Sequence, residues 1–336
     1  MGRLRAYVKL IRPYGILFLG FTPVFGAICN GECDGFRLGM LLLIGLLTHV
    51  FVFVQNDYYD VEVDNKSRYV ADRPLTSGSL IQRQAILLFS SAFLLAYGLF
   101  FVALFTWQAL LFLFATFLLM TVYNKYSKRI TGMEYILSTG VFTLGLFGAF
   151  TVSETISPLA LIISFVGFLQ WLFSVGVSAN LKDVEYDARL GIRTTPMLLG
   201  VKVIDTTLIK PPLFLVYSSS IQLLFLFTVS LPFLLGLTMI TVRNLPIPLL
   251  CFLLVAFVML FTTWGILTIP LEKRATMLRY EGAHEGFALL LIPIVLMSHL
   301  VDHLGVLTTL GIILLFILWP LSILRLLYGK TMIPLE

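Results

Sequence analysis

Charge is scarce in this sequence. Asp, Glu, Lys and Arg make up 12% of its 336 residues, about half the share of an ordinary soluble domain. With 59% of the residues hydrophobic and a mean hydropathy of +0.97, no water-soluble fold could cover the apolar surface, so a lipid bilayer must be the solvent. Cysteine is nearly missing as well. Cys29 and Cys33 flank a short turn and could pair in an oxidising compartment, but two unpaired cysteines on apolar faces are the simpler reading. A small-residue cleavage site is also lacking after the first apolar stretch, so an anchoring segment is expected there and not a cleavable leader.

What the sequence has in quantity is long apolar runs broken by short polar ones. A helix needs about 20 apolar residues to cross roughly 30 Å of hydrocarbon. Spans are expected near 14–31, 37–55, 84–105, 107–123, 134–152, 159–180, 212–240, 248–270, 285–300 and 304–326. Only Val301, Asp302 and His303 separate the last two, so nine or ten spans are both open. The fold class is therefore all-α, a polytopic transmembrane helical bundle of nine to ten spans, with 1–336 as a single integral-membrane domain. Of the 23 Lys and Arg residues, all but Arg37 and Arg243 fall in alternate loops or the terminal segments. That bias places the basic face in the cytoplasm. The net charge of +5 thus reflects topology, and no nucleic-acid partner is needed to explain it.

Two acidic clusters interrupt the pattern on that same face. The second span runs into Asn56-Asp57-Tyr58-Tyr59-Asp60-Val61-Glu62-Val63-Asp64. If the helix continues, Asn56, Asp60 and Asp64 recur every four residues and line one face. The sixth span runs into Asn180-Leu181-Lys182-Asp183-Val184-Glu185-Tyr186-Asp187, where Asp183 and Asp187 repeat the spacing. Carboxylates stacked one turn apart repel, and a hard divalent cation compensates them well. Mg2+ takes oxygen ligands, keeps several waters and shares its shell with substrate phosphates. Two such clusters facing each other could hold two or three Mg2+ ions around a diphosphate. Solvated acidic helix ends are common at membrane borders, but two at matched spacing and depth argue for a site. The candidate metal ligands are Asn56, Asp60, Asp64, Asp183 and Asp187.

Each acidic helix end leads into a basic loop closed by a proline: Asn65-Lys66-Ser67-Arg68 and Arg73-Pro74-Leu75-Thr76-Ser77-Gly78 after the first, Arg189 and Arg193-Thr194-Thr195-Pro196 after the second. The parallel suggests a degenerate internal repeat, with one motif near 56–78 and the other near 180–200, and sites at repeat interfaces are usual in membrane proteins. A third basic loop, Tyr123-Asn124-Lys125-Tyr126-Ser127-Lys128-Arg129, lies on the same face. Positive-inside bias alone would produce it; alternatively Lys125 or Lys128 reaches a diphosphate as a point charge.

With these residues in view the chain resembles the UbiA superfamily of intramembrane prenyltransferases. Asn56 to Asp64 matches that family's N-D-x-x-D-x-x-x-D motif, Arg73-Pro74-Leu75 with Gly78 resembles its R-P-L-x-S-G segment, and Asp183 with Asp187 matches its second D-x-x-x-D motif. The resemblance extends to about Gly200. The family's Tyr-x-x-x-Lys motif is not met cleanly, because Lys125 and Lys128 lie two and five positions after Tyr123. The resemblance implies Mg2+-dependent transfer of a prenyl group from a polyprenyl diphosphate to a lipophilic acceptor, an aromatic quinone precursor or similar, among the membrane lipids and without an obligate protein partner. It implies catalytic roles for Asp60, Asp183 and Lys128, and diphosphate contacts from Asn56, Arg73, Tyr123, Lys125, Lys128 and Lys182. Elementary chemistry agrees, since metal and cationic side chains stabilise the charge that develops on a leaving diphosphate.

A membrane ion or solute transporter is the rival class, because acids within a membrane often mark ion paths. Such a path needs charged groups at several depths. Here the span interiors are nearly bare, His49 and the border residue Glu134 being the exceptions. The basic loop Lys273, Arg274 and Arg279, followed by His284, could receive an anionic acceptor, although positive-inside bias predicts the same loop.

Overall fold

The computed structural model describes residues 2–66, 70–204, 207–270 and 273–332. Ser67 and Arg68 of the first basic loop lie outside that set. Among the described residues there are fourteen helices, in chain order α1 (Arg3–Ile11), α2 (Ile16–Cys29), α3 (Gly35–Asp64), α4 (Gln82–Ala103), α5 (Trp107–Tyr126), α6 (Met133–Phe150), α7 (Pro158–Phe173), α8 (Asn180–Arg189), α9 (Thr195–Leu198), α10 (Pro212–Leu234), α11 (Ile247–Thr268), α12 (Arg274–Val295), α13 (Met297–Leu304) and α14 (Val306–Tyr328). Nine helical segments among the described residues are long and apolar enough to cross a membrane, and the bent pair α12–α13 makes a tenth. The architecture is the polytopic helical bundle read from the sequence. A two-stranded antiparallel hairpin, Lys202–Ile204 with Thr207–Ile209, is an element the hydropathy pattern did not announce.

Two boundaries differ from expectation. The first segment starts at Arg3 and not near residue 14, running through α1 and α2 to Cys29. Its break is at Arg12, which takes a left-handed φ of 52° before Pro13. The segment expected at 285–300 starts at Arg274 and turns by 56° between α12 and α13. Pro293 lies inside α12, and a proline withdraws the N–H that a straight helix needs. Polar residues at 274, 281 and 285 depress the hydropathy there, and partners on neighbouring helices compensate them. All three cysteines are free thiols.

The chain forms two compact units. One holds Met1–Lys128, Thr139–Ala160 and Trp319–Glu336, the other Arg129–Ser138 and Leu161–Leu318. The first motif falls in the former and the second motif in the latter.

In the first unit, α2 is the centre against which α3 and α6 close. A Cβ at Gly148 of α6 would sit 1.9 Å from the carbonyl oxygen of Pro23, and one at Gly45 of α3 would sit 2.4 Å from that of Leu19. Small residues let membrane helices approach to backbone contact, where dispersion replaces the hydrophobic drive that lipid cannot supply. Asp34 starts α3 by accepting a hydrogen bond from the Arg37 amide at 2.8 Å. Near the other end of α3, Val54 and Val61 pack with Ala6 and Leu10 of α1, Leu75 and Leu80 of the loop before α4, and Ala85 of α4. That cluster seats the first motif on a fixed floor.

In the second unit, Phe173, Val177, Leu181 and Val184 pack with Phe214 of α10, Ile266 of α11 and Met277 of α12. Between α7 and α8 the chain makes a π-helical turn, Ser174–Ala179. Such turns hold one extra residue in the helix, rotate the residues beyond it about the axis, and are frequent at functional sites.

Candidate active site

The helix of the first motif does not unwind. α3 runs unbroken through Asn56 to Asp64, so Asn56, Asp60 and Asp64 share a face as their spacing requires. Asp57, Asp60 and Asp64 are buried at 3%, 6% and 6% exposure, while Asn56 is half-buried. Three carboxyl groups this deep need polar or charged partners. Arg73 donates to Asp64 at 2.7 Å and lies 3.6 Å from Asp57. Arg12 takes Asp57 at 2.5 Å. Asp60 accepts no hydrogen bond among the described residues; Lys128 and Arg73 attract its carboxylate and Asp64 and Asp57 repel it.

Local structure explains how these groups arrive. The buried ring of His49 donates from Nε2 to the carbonyls of Ile11 and Arg12, at 3.0 and 3.2 Å, pinning the turn that presents Arg12. Arg73 opens a tight loop in which the Ser77 amide donates to the Arg73 carbonyl at 2.8 Å and the Leu80 amide to that of Pro74 at 3.0 Å. Gly78 takes a φ of +70° in it, a conformation glycine adopts without strain. Lys9 holds the same loop through Asp72 at 2.8 Å. At the end of α5, buried Asn124 donates to the Val52 carbonyl and to Gln55, both at 3.0 Å, locking Tyr123 and the lysines beside α3. Tyr123 is half-buried. Lys125 is exposed and lies over the Tyr126 ring at 5.3 Å. Of the two lysines left open by the sequence, only Lys128 is among the charges acting on Asp60.

The second motif stands on α8. Asp187 is buried and Asp183 half-buried. Arg274 of α12 donates to Asp183 at 3.1 Å and also to the Lys182 carbonyl, so the arginine considered for an anionic acceptor is engaged by the motif itself. Lys182 turns to Glu281 of α12 at 3.4 Å. His284 is fully buried between Thr263 (3.1 Å) and Gln222 (3.3 Å), where it ties α12 to α10 and α11 and presents nothing to an acceptor. Glu134, the border acid, accepts from Thr195, and Thr131 donates to the Arg193 carbonyl at 2.8 Å. Together they hold the loop after the motif.

Among the described residues no three His, Cys, Asp or Glu side chains gather into a self-sufficient metal cage. Mg2+ does not ask for one. It is bound through one or two carboxylates, with waters and substrate phosphate completing the octahedron. Asp60, buried and without a hydrogen bond among the described residues, is a hard oxygen donor of the right type. Asp64 and Asp183 carry arginine partners and would share or exchange them on binding a metal. The residues fit Mg2+ as a group completed by substrate.

Sequence reasoning missed Arg12, Asn124, Glu281 and Glu285. Arg12 is absorbed into the positive-inside count. The two glutamates repeat the four-residue spacing of the aspartates, a signal that is present but lies in a stretch that reads as loop and span border.

Comparison with known proteins places the chain in a family. The sequence model of the UbiA prenyltransferase family matches residues 18–277. The chain is 26% identical over 202 residues to a 4-hydroxybenzoate octaprenyltransferase of Colwellia psychrerythraea, covering 59% of this chain and 68% of that protein. It is 30% identical over 202 residues to a digeranylgeranylglyceryl phosphate synthase of Thermococcus gammatolerans, covering 59% and 70%. The matched region thus spans about two thirds of these relatives' length. Among solved structures, a UbiA homologue of Aeropyrum pernix K1 superposes with a TM-score of 0.64 at 16% identity, over 85% of this chain and 97% of that one. A UbiA homologue of Archaeoglobus fulgidus bound to GPP and Mg2+ gives 0.56 at 16% identity, over 85% and 99%. At such identities the structural likeness establishes the fold.

Proposed function

This chain belongs to the UbiA prenyltransferase family, and on that premise we propose that it transfers a prenyl group from a polyprenyl diphosphate to a lipophilic acceptor in the membrane, with Mg2+ as cofactor and carboxylates of each acidic motif as its ligands. The observation that carries the reading is the end of α3, where carboxylates for a metal and cations for a diphosphate are buried together. Asp60 is the principal metal-binding carboxylate there. Arg73 and Lys128 meet the diphosphate, and Arg12 holds Asp57 in place. On α8, Asp183 and Asp187 serve the same reaction, with Arg274 orienting Asp183.

In the transfer, the bond between the allylic carbon and diphosphate oxygen breaks, a bond forms from that carbon to the acceptor, and the acceptor gives up a proton. Mg2+, when bound, neutralises charge developing on the departing diphosphate. Lys128 and Arg73 add fixed positive charge in a water-poor site, where it counts for more than in solution. The Lys and Arg bias supports a cytoplasmic location for both motif-bearing helix ends. In a cysteine-free background, Ser67→Cys is expected to resist, and Asp34→Cys to accept, an impermeant maleimide on intact cells; the reverse pattern inverts the topology.

The decisive test is calorimetry with a non-hydrolysable prenyl thiodiphosphate. Binding is expected to need Mg2+ and to fall sharply in Asp60→Ala and in Asp183→Ala. Undiminished binding in EDTA, or in either variant, would refute the role given to the two motifs.

A further inference from the structure

From the second motif downward the second unit carries a ladder of polar contacts that continues past the groups the transfer reaction uses. Its first rung is Arg274 with Asp183, at 3.1 Å. Glu281 lies seven residues further along α12 and pairs with Lys182 at 3.4 Å. Glu285 comes one turn later and accepts from Ser174, the first residue of the π-helical turn. At about 1.5 Å of rise per residue the rungs descend roughly 16 Å along α12, far enough to leave the membrane border for the bundle interior.

The ladder is not closed on itself. Glu281 is 8% exposed, and its Oε2 accepts no hydrogen bond among the described residues. Glu281 and Glu285 share a face and repel each other, with Lys182 the cation acting on both. A second group faces the same deficit. Gln170 of α7, one turn before Ser174 on the same side of that helix, is 2% exposed, and neither its amide oxygen nor its nitrogen has a partner among the described residues. A helix bundle does not leave a carboxylate oxygen and a whole carboxamide unsatisfied at this depth without cost. Helix-to-helix adhesion does not explain them either, because adhesive groups would be bonded to one another.

We propose that Glu281, Glu285, Ser174 and Gln170 form the acceptor subsite, and that it selects a neutral, hydroxyl-bearing acceptor over an anionic one. The inference rests on the prenyl-transfer reading. A hydroxyl both donates and accepts, so hydroxyl groups along an acceptor can donate to Glu281 Oε2 and, about two helical turns deeper, accept from or donate to the Gln170 amide. A carboxylate or phosphate brings only lone pairs to two carboxylates whose single ammonium is already engaged. The arginine and histidine that could have favoured an anion, Arg274 and His284, are bound elsewhere.

The test uses full-length protein, Mg2+ and geranyl or geranylgeranyl diphosphate with acceptor pairs that differ in one group: 4-hydroxybenzyl alcohol against 4-hydroxybenzoate, and a monoalkyl glycerol ether against its phosphate. The neutral member of a pair is expected to show at least about tenfold higher kcat/KM, the scale of one hydrogen bond to a charged group. Glu281→Gln and Gln170→Leu should each raise KM for the neutral acceptor by about tenfold, with Glu281→Asp recovering part of the loss. Geranyl thiodiphosphate binding, measured on the same preparations, should be unchanged and shows that the variants are folded. A preference for the anionic members, an unaltered KM in both variants, or no prenylation of any member by protein that binds the thiodiphosphate would each overturn the proposal. Failure of wild-type protein to bind the thiodiphosphate is a distinct result, and it removes the prenyl-transfer reading along with the subsite.

Discussion

At the end of α3, Asp57, Asp60 and Asp64 stand among Arg12, Arg73 and Lys128, one cation for each carboxylate. On the α8 side, Arg274 pairs with Asp183 and Lys182 with Glu281, while Glu285 accepts from Ser174. The aspartates repeat one spacing, on an unbroken α-helix in the first case and after a π-helical turn in the second. Equal spacing therefore conceals unequal electrostatics. The first region is balanced before anything binds, and built so that cations are at hand for a phosphate. In the second, Glu281 and Glu285 lie one turn apart with Lys182 acting on both, which suits hydrogen-bond donors below the aspartates.

Removing Asp60 is the strongest challenge to this contrast. Asp60→Asn keeps the shape and deletes the one carboxylate of the first region that has no hydrogen bond among the described residues, so turnover is expected to fall by roughly 10²–10³, the scale of a lost transition-state electrostatic contact. Asp57→Asn, whose partner is Arg12, should cost turnover far less. Steady-state rates of the two variants at saturating Mg2+ decide the matter, and equal losses would mean that the buried carboxylates act as one unit.

Stability should show the next largest difference. Arg12 and Asp57 are 15% and 4% exposed. Breaking a buried pair from one side costs about 3–5 kcal/mol when the remaining charge is left alone, and Arg73 at 3.6 Å from Asp57 offsets part of that here. Arg12→Ala should therefore lower the thermal unfolding midpoint markedly, and adding Asp57→Asn should restore much of it. Asp183 is 36% exposed beside Arg274, so Arg274→Ala should cost only about 1 kcal/mol, the range of solvent-screened pairs. A similar midpoint loss in both arginine variants would erase the distinction between the two regions.

How much of this was legible in advance depends on whether the signal was local. The α3 motif could be read because one helix carries it and helical periodicity is a property of consecutive residues. The matched α8 pair could be read for the same reason. Arg12 could not, because its partner is 45 residues away and its placement depends on a left-handed turn and on His49. Glu281 and Glu285 escaped because hydropathy treats a charged residue as the edge of a span, whereas here Lys182 and Ser174 across the interface make the charge tolerable inside one. The strand pair Lys202–Ile204 and Thr207–Ile209 is too short and too isolated to leave a pattern. Composition and period thus determine which helices exist, and the cross-helix pairing of polar groups determines which of them carry chemistry.

The smallest effect tests which lysine completes the first region. Lys128 is the leading attractive charge on Asp60, whereas Lys125 is exposed and lies over Tyr126. Lys128→Ala removes a cation that serves both the carboxylate and the incoming diphosphate, so kcat/KM for the prenyl diphosphate is expected to drop about tenfold, equivalent to about 1.4 kcal/mol of transition-state stabilisation. Lys125→Ala forfeits an exposed cation–π contact of about 0.5–1 kcal/mol, which is local to α5, and should leave kcat/KM within about twofold because an exposed charge is screened by water and salt. Raising ionic strength separates the two further. The residual Lys125 effect should vanish with salt, whereas the Lys128 effect should persist, since a partly buried charge is screened much less. If Lys125→Ala costs more than Lys128→Ala, the diphosphate is held on the outer side of α5, and the balanced cluster around Asp60 is a structural feature of the helix end.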